Sequence, residues 1–232
     1  MLSQSIVGEG LFLRTIRIFF EKRSRAKYIS HLDCTRCMQR AIKRAGLPVW
    51  YTEGFNPHLY LTFALPLALG YEGLRETMDI RLLDDEMPLG QVQDRLNAVL
   101  PQGFRVVQVL NAQGKPAQIA WAEYQVSLEC EGIPAQELLH LWQSFDVPGP
   151  ILVQKKGKKG MKEVDIRPFF ETLEAQASSR GLRLSLRFAA GTVTNINPTL
   201  ALDRFLIQNS LDPSVLEIVR TRILTQDLKE FC

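Results

Sequence analysis

The sequence has few cysteines, no long apolar run and little net charge. Its four cysteines, at 34, 37, 130 and 232, are too scattered for a disulfide framework, which favours a reducing compartment. No stretch approaches the roughly 18 apolar residues of a transmembrane helix. The N-terminal residues lack a positive segment followed by an apolar core, so no secretory signal is expected. These absences together predict a cytoplasmic protein.

The net charge of +3 conceals an uneven distribution of basic residues. Between Arg14 and Arg44 the sequence has ten Lys or Arg residues and only two acids. A second cluster, KKGKKGMK, places five lysines between Lys155 and Lys162. Two local positive fields on a nearly neutral chain favour a polyanionic partner. The alternative is a solvated basic rim without a ligand.

The order of predicted elements indicates an α+β fold. The first half reads strand, helix, strands, helix, strand, which is the split βαβ, ferredoxin-like pattern, and the second half partly repeats this order. Within that repeat, the stretch EVDIRPFFETLEAQA is expected to start extended and to become helical after Pro168. We therefore expect tandem ferredoxin-like halves with antiparallel sheets, comprising residues 1–112 and 121–232.

The stretch YISHLDCTRCMQRAIKRAG predicts a capped, amphipathic helix that starts after Ser30 and stops at Gly46. Apolar or small side chains at 34, 37, 38, 41, 42 and 45 form its buried stripe. Basic side chains on the opposite face, together with others just before the free N–H groups of the helix start, suit a phosphate backbone. These candidate RNA contacts are Lys22, Arg23, Arg25, Lys27, Arg36, Arg40, Lys43 and Arg44.

The stretch YTEGFNPHLY contains turn chemistry next to aromatic residues, which is typical of surfaces that stack on single-stranded RNA. The alternative is a structural role in packing a sheet edge. We expect this bend to pack beside the basic helix, so that the two cradle a sugar–phosphate chain. The candidates are Tyr51, Asn56 and His58, with Lys155, Lys156, Lys158 and Lys159 of the second basic cluster as further RNA contacts.

His31, in the first turn of the helix, is a candidate general base, with Tyr28 or Lys27 as its partner. A structural hydrogen bond is the other interpretation. Cys34 and Cys37 are interpreted as small core residues, because a zinc site needs four ligands and no second Cys or His pair is present. No metal and no cofactor are expected.

Residues Tyr28 to Ile80 resemble the radical-SAM-linked domain family of bacterial proteins, which are fused to or encoded beside B12-binding-type radical SAM proteins. The matching positions include the SHLD and AGLP segments, the GFNPH segment and the PLALG segment, and KEVDIRP resembles a second family motif. They also include Glu76 and Asp79. More distantly, the helix and the bend are similar to RAMP-type CRISPR RNA endoribonucleases, which have tandem ferredoxin-like domains.

The basic helix and the bend predict binding of structured or single-stranded RNA, with tRNA or rRNA as the expected RNA. The resemblance implies an accessory or substrate-presenting role, with a radical SAM protein encoded nearby as the partner. The chain lacks the Cys-x3-Cys-x2-Cys spacing of that superfamily, so the cluster chemistry would belong to the partner. One alternative is a metal-independent endoribonuclease that uses His31. A second is a protein-interaction module that binds no nucleic acid.

Overall fold

The computed structural model describes residues 13–157 and 160–232. The first half contains β1 (Arg14–Lys22), a 3-10 helix (Ser24–Tyr28), α1 (His31–Arg44), β2 (Leu61–Phe63), β3 (Glu72–Leu82), α2 (Leu89–Asn97) and β4 (Phe104–Asn111). The second half contains β5 (Ile119–Glu129), α3 (Ala135–Phe145), β6 (Leu152–Gly157), β7 (Gly160–Asp165), β8 (Phe170–Ala177), β9 (Leu182–Ala189), α4 (Thr199–Gln208) and β10 (Val215–Thr225). None of the described helices is long and apolar enough to cross a membrane.

The predicted α+β class is confirmed, and all the described strands except β6 and β7 form one large, mostly antiparallel sheet. Its order is β4-β1-β3-β10-β5-β9-β8, and β2 pairs with β3. In the first half β1 lies between β4 and β3, and in the second half β5 lies between β10 and β9, which is the arrangement expected of a split βαβ unit. The hairpin of β6 and β7 is inserted between α3 and β8. The predicted boundary falls at a 3-10 helix, Pro116–Gln118, and the division into two domains stays a prediction.

The helix α1 begins and packs as its sequence predicts. The Ser30 hydroxyl accepts a hydrogen bond from the Asp33 backbone N–H at 3.2 Å, which satisfies one free donor of the first turn. Its apolar stripe lies in the core of the first half, where Met38 and Ile42 are fully buried. Because this face is fixed by burial, the charged face of α1 must point to solvent.

One expected helix is a strand. After Pro168 the chain forms a short 3-10 turn and then β8, which pairs antiparallel with β9 from Phe170↔Phe188 to Ala177↔Leu182. The prediction of a helix there is wrong. The Phe170 ring stacks on Phe188 at 5.3 Å between ring centroids, so pairing with a neighbouring strand outweighs the helix propensity of Glu, Leu and Ala.

The two halves meet where β3 and β10 pair in parallel, at Val219↔Glu72 and Arg220↔Gly73. Arg220 is only 3% exposed, and its Nε donates to Glu76 Oε1 at 2.9 Å. Its Nη2 donates to the other carboxylate oxygen and to the Leu65 carbonyl. Burial opposes the charge on Arg220, but the Glu76 carboxylate outweighs it and holds the pKa of the guanidinium above its usual range.

Glycine is required beside this ion pair. A Cβ at position 73 would overlap the Glu76 side chain, which Arg220 holds in place. The buried ammonium of Lys22 also interacts with Glu76. Glu76 therefore faces two buried cations at the junction.

The substitution Glu76→Gln keeps the side chain's shape but removes the negative charge from both cations. We expect it to lower the free energy of unfolding by about 3–5 kcal/mol, as when one partner of a buried ion pair is lost. Urea denaturation measures the loss. The matched control is Glu217→Gln, since Glu217 is an exposed partner of Lys27 and should cost less than about 1 kcal/mol. Equal, small losses in both variants would contradict the role assigned to Glu76.

Candidate nucleic-acid interface

The exposed face of α1 carries a row of cations, which we call the basic stripe: Arg36, Arg40, Lys43 and Arg44. Their spacing repeats every three or four residues, so they share one side of the helix. Arg36 approaches Asp33 at 3.2 Å, and more than half of both side chains is exposed. Arg44 donates to the Val99 carbonyl at 2.9 Å and so also supports the end of α2. None of the four is turned into the core.

The basic residues before α1 are less uniform. Arg25 is exposed, and Arg23 is half exposed at 3.5 Å from the Glu72 carboxylate. Lys27 lies 3.7 Å from Glu217, with its ammonium 5.4 Å from the centre of the Tyr28 ring. Arg23 and Arg25 are therefore the more exposed cations of this turn, and Lys27 is the less exposed one.

The structure excludes one of the expected RNA contacts, Lys22, from the surface. It is the last residue of β1 and only 3% exposed, and its Nζ donates to the Ile29 carbonyl at 2.8 Å. Burial lowers the pKa of its ammonium, although Cys34 and Glu76 partly offset this effect. The prediction that Lys22 contacts RNA is wrong, because β1 extends to Lys22 and this side chain is directed inward.

The three candidate catalytic residues do not form a connected site. His31 is exposed, and its ring packs edge-on against Phe63 with 5.1 Å between ring centroids. No hydrogen bond joins His31 to Tyr28 or to Lys27, whose ammonium is directed to Tyr28 and Glu217. A general base needs hydrogen-bond reach of the proton that it takes and of the groups that assist it, and here the imidazole and the Tyr28 ring both face solvent without a hydrogen bond between them.

The bend between residues 51 and 59, which we call the GFNPH loop, is closed by its own hydrogen bonds. The Thr52 N–H donates to the His58 carbonyl at 2.8 Å, and the His58 N–H donates to the Thr52 hydroxyl at 3.1 Å. Gly54 has φ +124°, a conformation that favours glycine. At the tip, Phe55 is fully exposed, and Tyr51, Asn56 and His58 are exposed beside it.

The base of the loop is a stack of rings around Arg81. The Arg81 guanidinium carbon lies 4.3 Å from the centre of the Tyr60 ring and 5.1 Å from that of Trp50. Sequence reasoning missed both Arg81 and Phe55. A signal for Phe55 was present, since an aromatic residue between Gly54 and Asn56-Pro57 sits within a turn that has no core to bury it.

The pairing of the strands gives the position of the loop along α1. Leu82 pairs with Arg14 at the start of β1 and with Val49, which leads into the loop. The basic turn follows Lys22 at the other end of β1, about 26 Å away for a nine-residue strand. The loop therefore lies at the C-terminal end of α1, and the basic stripe runs between the loop and the basic turn.

The second basic cluster is only partly described. Lys155 is half-buried in β6, where its Nζ donates to the Asn195 carbonyl at 2.8 Å. Lys156 pairs with Met161 through the backbone of the hairpin. Lys158 and Lys159 lie outside the described residues, so their role as RNA contacts stays a prediction.

The two cysteines of α1 belong to its packed side, with Cys34 buried and Cys37 half-buried. Burial raises the pKa of the Cys34 thiol to about 11, against an opposing effect of Lys22. Across residues 13–157 and 160–232, no group of three or more His, Cys, Asp or Glu residues is arranged to hold a metal ion.

Residues 15–198 match the family described as an uncharacterized protein conserved in bacteria, DUF2344. The chain belongs to this family. A search of curated proteins found no match. A chain in the crystal structure of a Cbf5-Nop10-Gar1 complex is similar with 14% identity and a TM-score of 0.43, over 90% of this chain. The match covers 48% of the other chain, so this protein spans about half the length of that chain. A likeness this weak supports no conclusion about function.

Thiol reactivity tests the assignment of Cys34 to the core. At pH 8 a pKa near 11 leaves about 100-fold less thiolate than a pKa near 9, and burial slows access further. We expect a disulfide reagent to modify Cys232, which is half-buried near the C-terminus, long before Cys34. Peptide mass spectrometry identifies the modified sites, and urea should abolish the difference. Fast modification of Cys34 in the folded protein would contradict its burial.

Proposed function

We propose that this DUF2344 protein binds RNA along the basic stripe and presents it to a radical SAM enzyme. The observation that carries the RNA part is the exposed stripe on α1. The radical SAM part rests on the resemblance of residues 28–80 to proteins linked to such enzymes. The expected RNA is tRNA or rRNA.

The stripe suits a phosphate chain because its cations recur about every 6 Å along the helix axis. The contact between Arg36 and Asp33 is exposed, and such pairs contribute only about 0–1 kcal/mol, so a phosphate can replace the carboxylate. Arg23 and Arg25 extend the positive surface beyond the helix start. Counterion release would then drive binding, with a strong dependence on salt.

Neutralising the stripe tests this proposal. The variant Arg36→Gln/Arg40→Gln/Lys43→Gln keeps good helix formers and leaves the contact of Arg44 with Val99 intact. Loss of three phosphate contacts should reduce the salt slope by about 2 and weaken binding about 100-fold at roughly 0.1 M salt. Fluorescence anisotropy with labelled RNA over a series of salt concentrations measures both quantities.

The matched control neutralises three exposed arginines of the second half, Arg180, Arg183 and Arg204, with the same change in net charge. We expect the control to keep most of the affinity. Equal losses in the two variants would show that only net charge matters. If the unmodified protein binds no RNA at roughly 50 mM salt, the alternative of a protein-interaction module replaces the proposal.

The radical SAM part has its own test. The partner encoded nearby should copurify with the protein and acquire RNA-modifying activity only in its presence. Copurification that RNase abolishes would indicate an indirect association through RNA. No association and no effect on activity would remove the accessory role while leaving RNA binding untouched.

The endoribonuclease alternative is favoured by one observation, the exposed imidazole of His31 next to the basic turn. Such an enzyme would cleave tRNA in EDTA and leave 2′,3′-cyclic phosphate ends. On the accessory proposal we expect intact tRNA and the same binding by the variant His31→Ala. Cleavage by the unmodified protein that is lost in this variant would establish the alternative instead.

A further inference from the structure

We infer that Phe55 is a stacking site for one unpaired nucleobase, which makes single-stranded or loop RNA, rather than duplex RNA, the ligand of the proposed interface. This inference rests on the proposed RNA binding and names its substrate class. It assigns a binding role to the tip of the GFNPH loop.

The first argument is the exposure of the Phe55 ring. Its side chain meets no part of the described chain that would cover it, at the tip of a loop whose other exposed side chains are mostly polar. Both faces of the ring are therefore open to a planar partner. A nucleobase fits this position because stacking on an aromatic ring needs a free face and tolerates any base.

The second argument is that the loop holds the backbone of Phe55 in an ordered turn. Two hydrogen bonds join Thr52 and His58 across the neck of the loop, and His58 Nδ1 lies 2.9 Å from the Thr52 hydroxyl and 3.2 Å from the Asn56 carbonyl. Below the neck, Arg81 packs on Trp50 and Tyr60. An ordered loop loses less conformational entropy when a ligand binds.

The third argument is the charge around the loop. The loop lies at the C-terminal end of α1, where Lys43 and Arg44 end the basic stripe. Carboxylates also lie at this end, because Glu53 is exposed within the loop and Asp84–Glu86 follow β3, so the phosphate contacts are assigned to Lys43 and Arg44. A single-stranded RNA whose phosphates lie along the basic stripe would bring a base to Phe55.

Stacking on Phe55 selects against duplex RNA. Bases inside an A-form helix are already stacked on each other, whereas bases in single strands and loops are free to stack on a protein ring. The stripe alone, which binds phosphates, would not distinguish the two forms. Preference for single strands therefore reports on Phe55, and overall affinity reports on the stripe.

The experiment compares a single-stranded RNA of about 12 nucleotides, a length within the usual range of site sizes, with its blunt duplex. The single strand carries 2-aminopurine, whose fluorescence falls when it stacks. The variants are Phe55→Ala and Phe55→Trp, and the control is Val193→Ala, which truncates another almost fully exposed apolar side chain in the second half. Circular dichroism verifies folding.

We expect Phe55→Ala to weaken single-strand binding by about 5- to 100-fold, to leave duplex binding and the salt slope unchanged, and to abolish the quenching. The variants Phe55→Trp and Val193→Ala should keep both the single-strand affinity and the quenching of 2-aminopurine. Binding of both RNAs with no effect of Phe55→Ala would overturn this inference and leave the proposed function standing. Failure of the unmodified protein to bind either RNA would overturn both.

Discussion

The buried ion pair of Arg220 and Glu76 is the interaction on which the arrangement of the two halves depends. The strands that join the halves pair at only two register positions, and this ion pair lies directly over them. Arg220 also binds the Leu65 carbonyl, at the start of the connection between β2 and β3. The Gly70 N–H at its end donates to the Lys27 carbonyl. The junction thereby fixes the basic turn that precedes α1.

The placement of acids, rather than the total charge, produces a positive surface. Buried carboxylates are held by internal arginines, as when Asp79 receives two hydrogen bonds of 2.8 Å from Arg17, while the cations of α1 remain exposed. Glu76 and Asp79 both belong to the resemblance with the radical-SAM-linked family. In this structure they are structural partners of arginine, whereas the GFNPH segment is exposed at the surface. The motif thus combines residues that hold the fold with residues that are exposed at the surface.

Features set by local chemistry could be predicted from the sequence, and features set by distant contacts could not. The cap at Ser30 and the apolar period of α1 were sufficient to locate the helix and its exposed face. The burial of Lys22 depends on the Ile29 carbonyl and on Glu76, and β8 depends on pairing with β9, so neither follows from a local window. The position of the GFNPH loop depends on the direction of β2 in the sheet. The α+β class followed from the order of the elements, but the junction between the two halves did not.

The most direct test of the account is to crosslink the protein to RNA containing 4-thiouridine and to map the attached peptides by mass spectrometry. If RNA follows the basic stripe to the GFNPH loop, the crosslinks will lie in residues 31–44 and 51–60. Crosslinks confined to the strands of the second half, at residues 119–129 and 182–189, would contradict the account. They would place the RNA on the sheet and leave α1 without its proposed ligand.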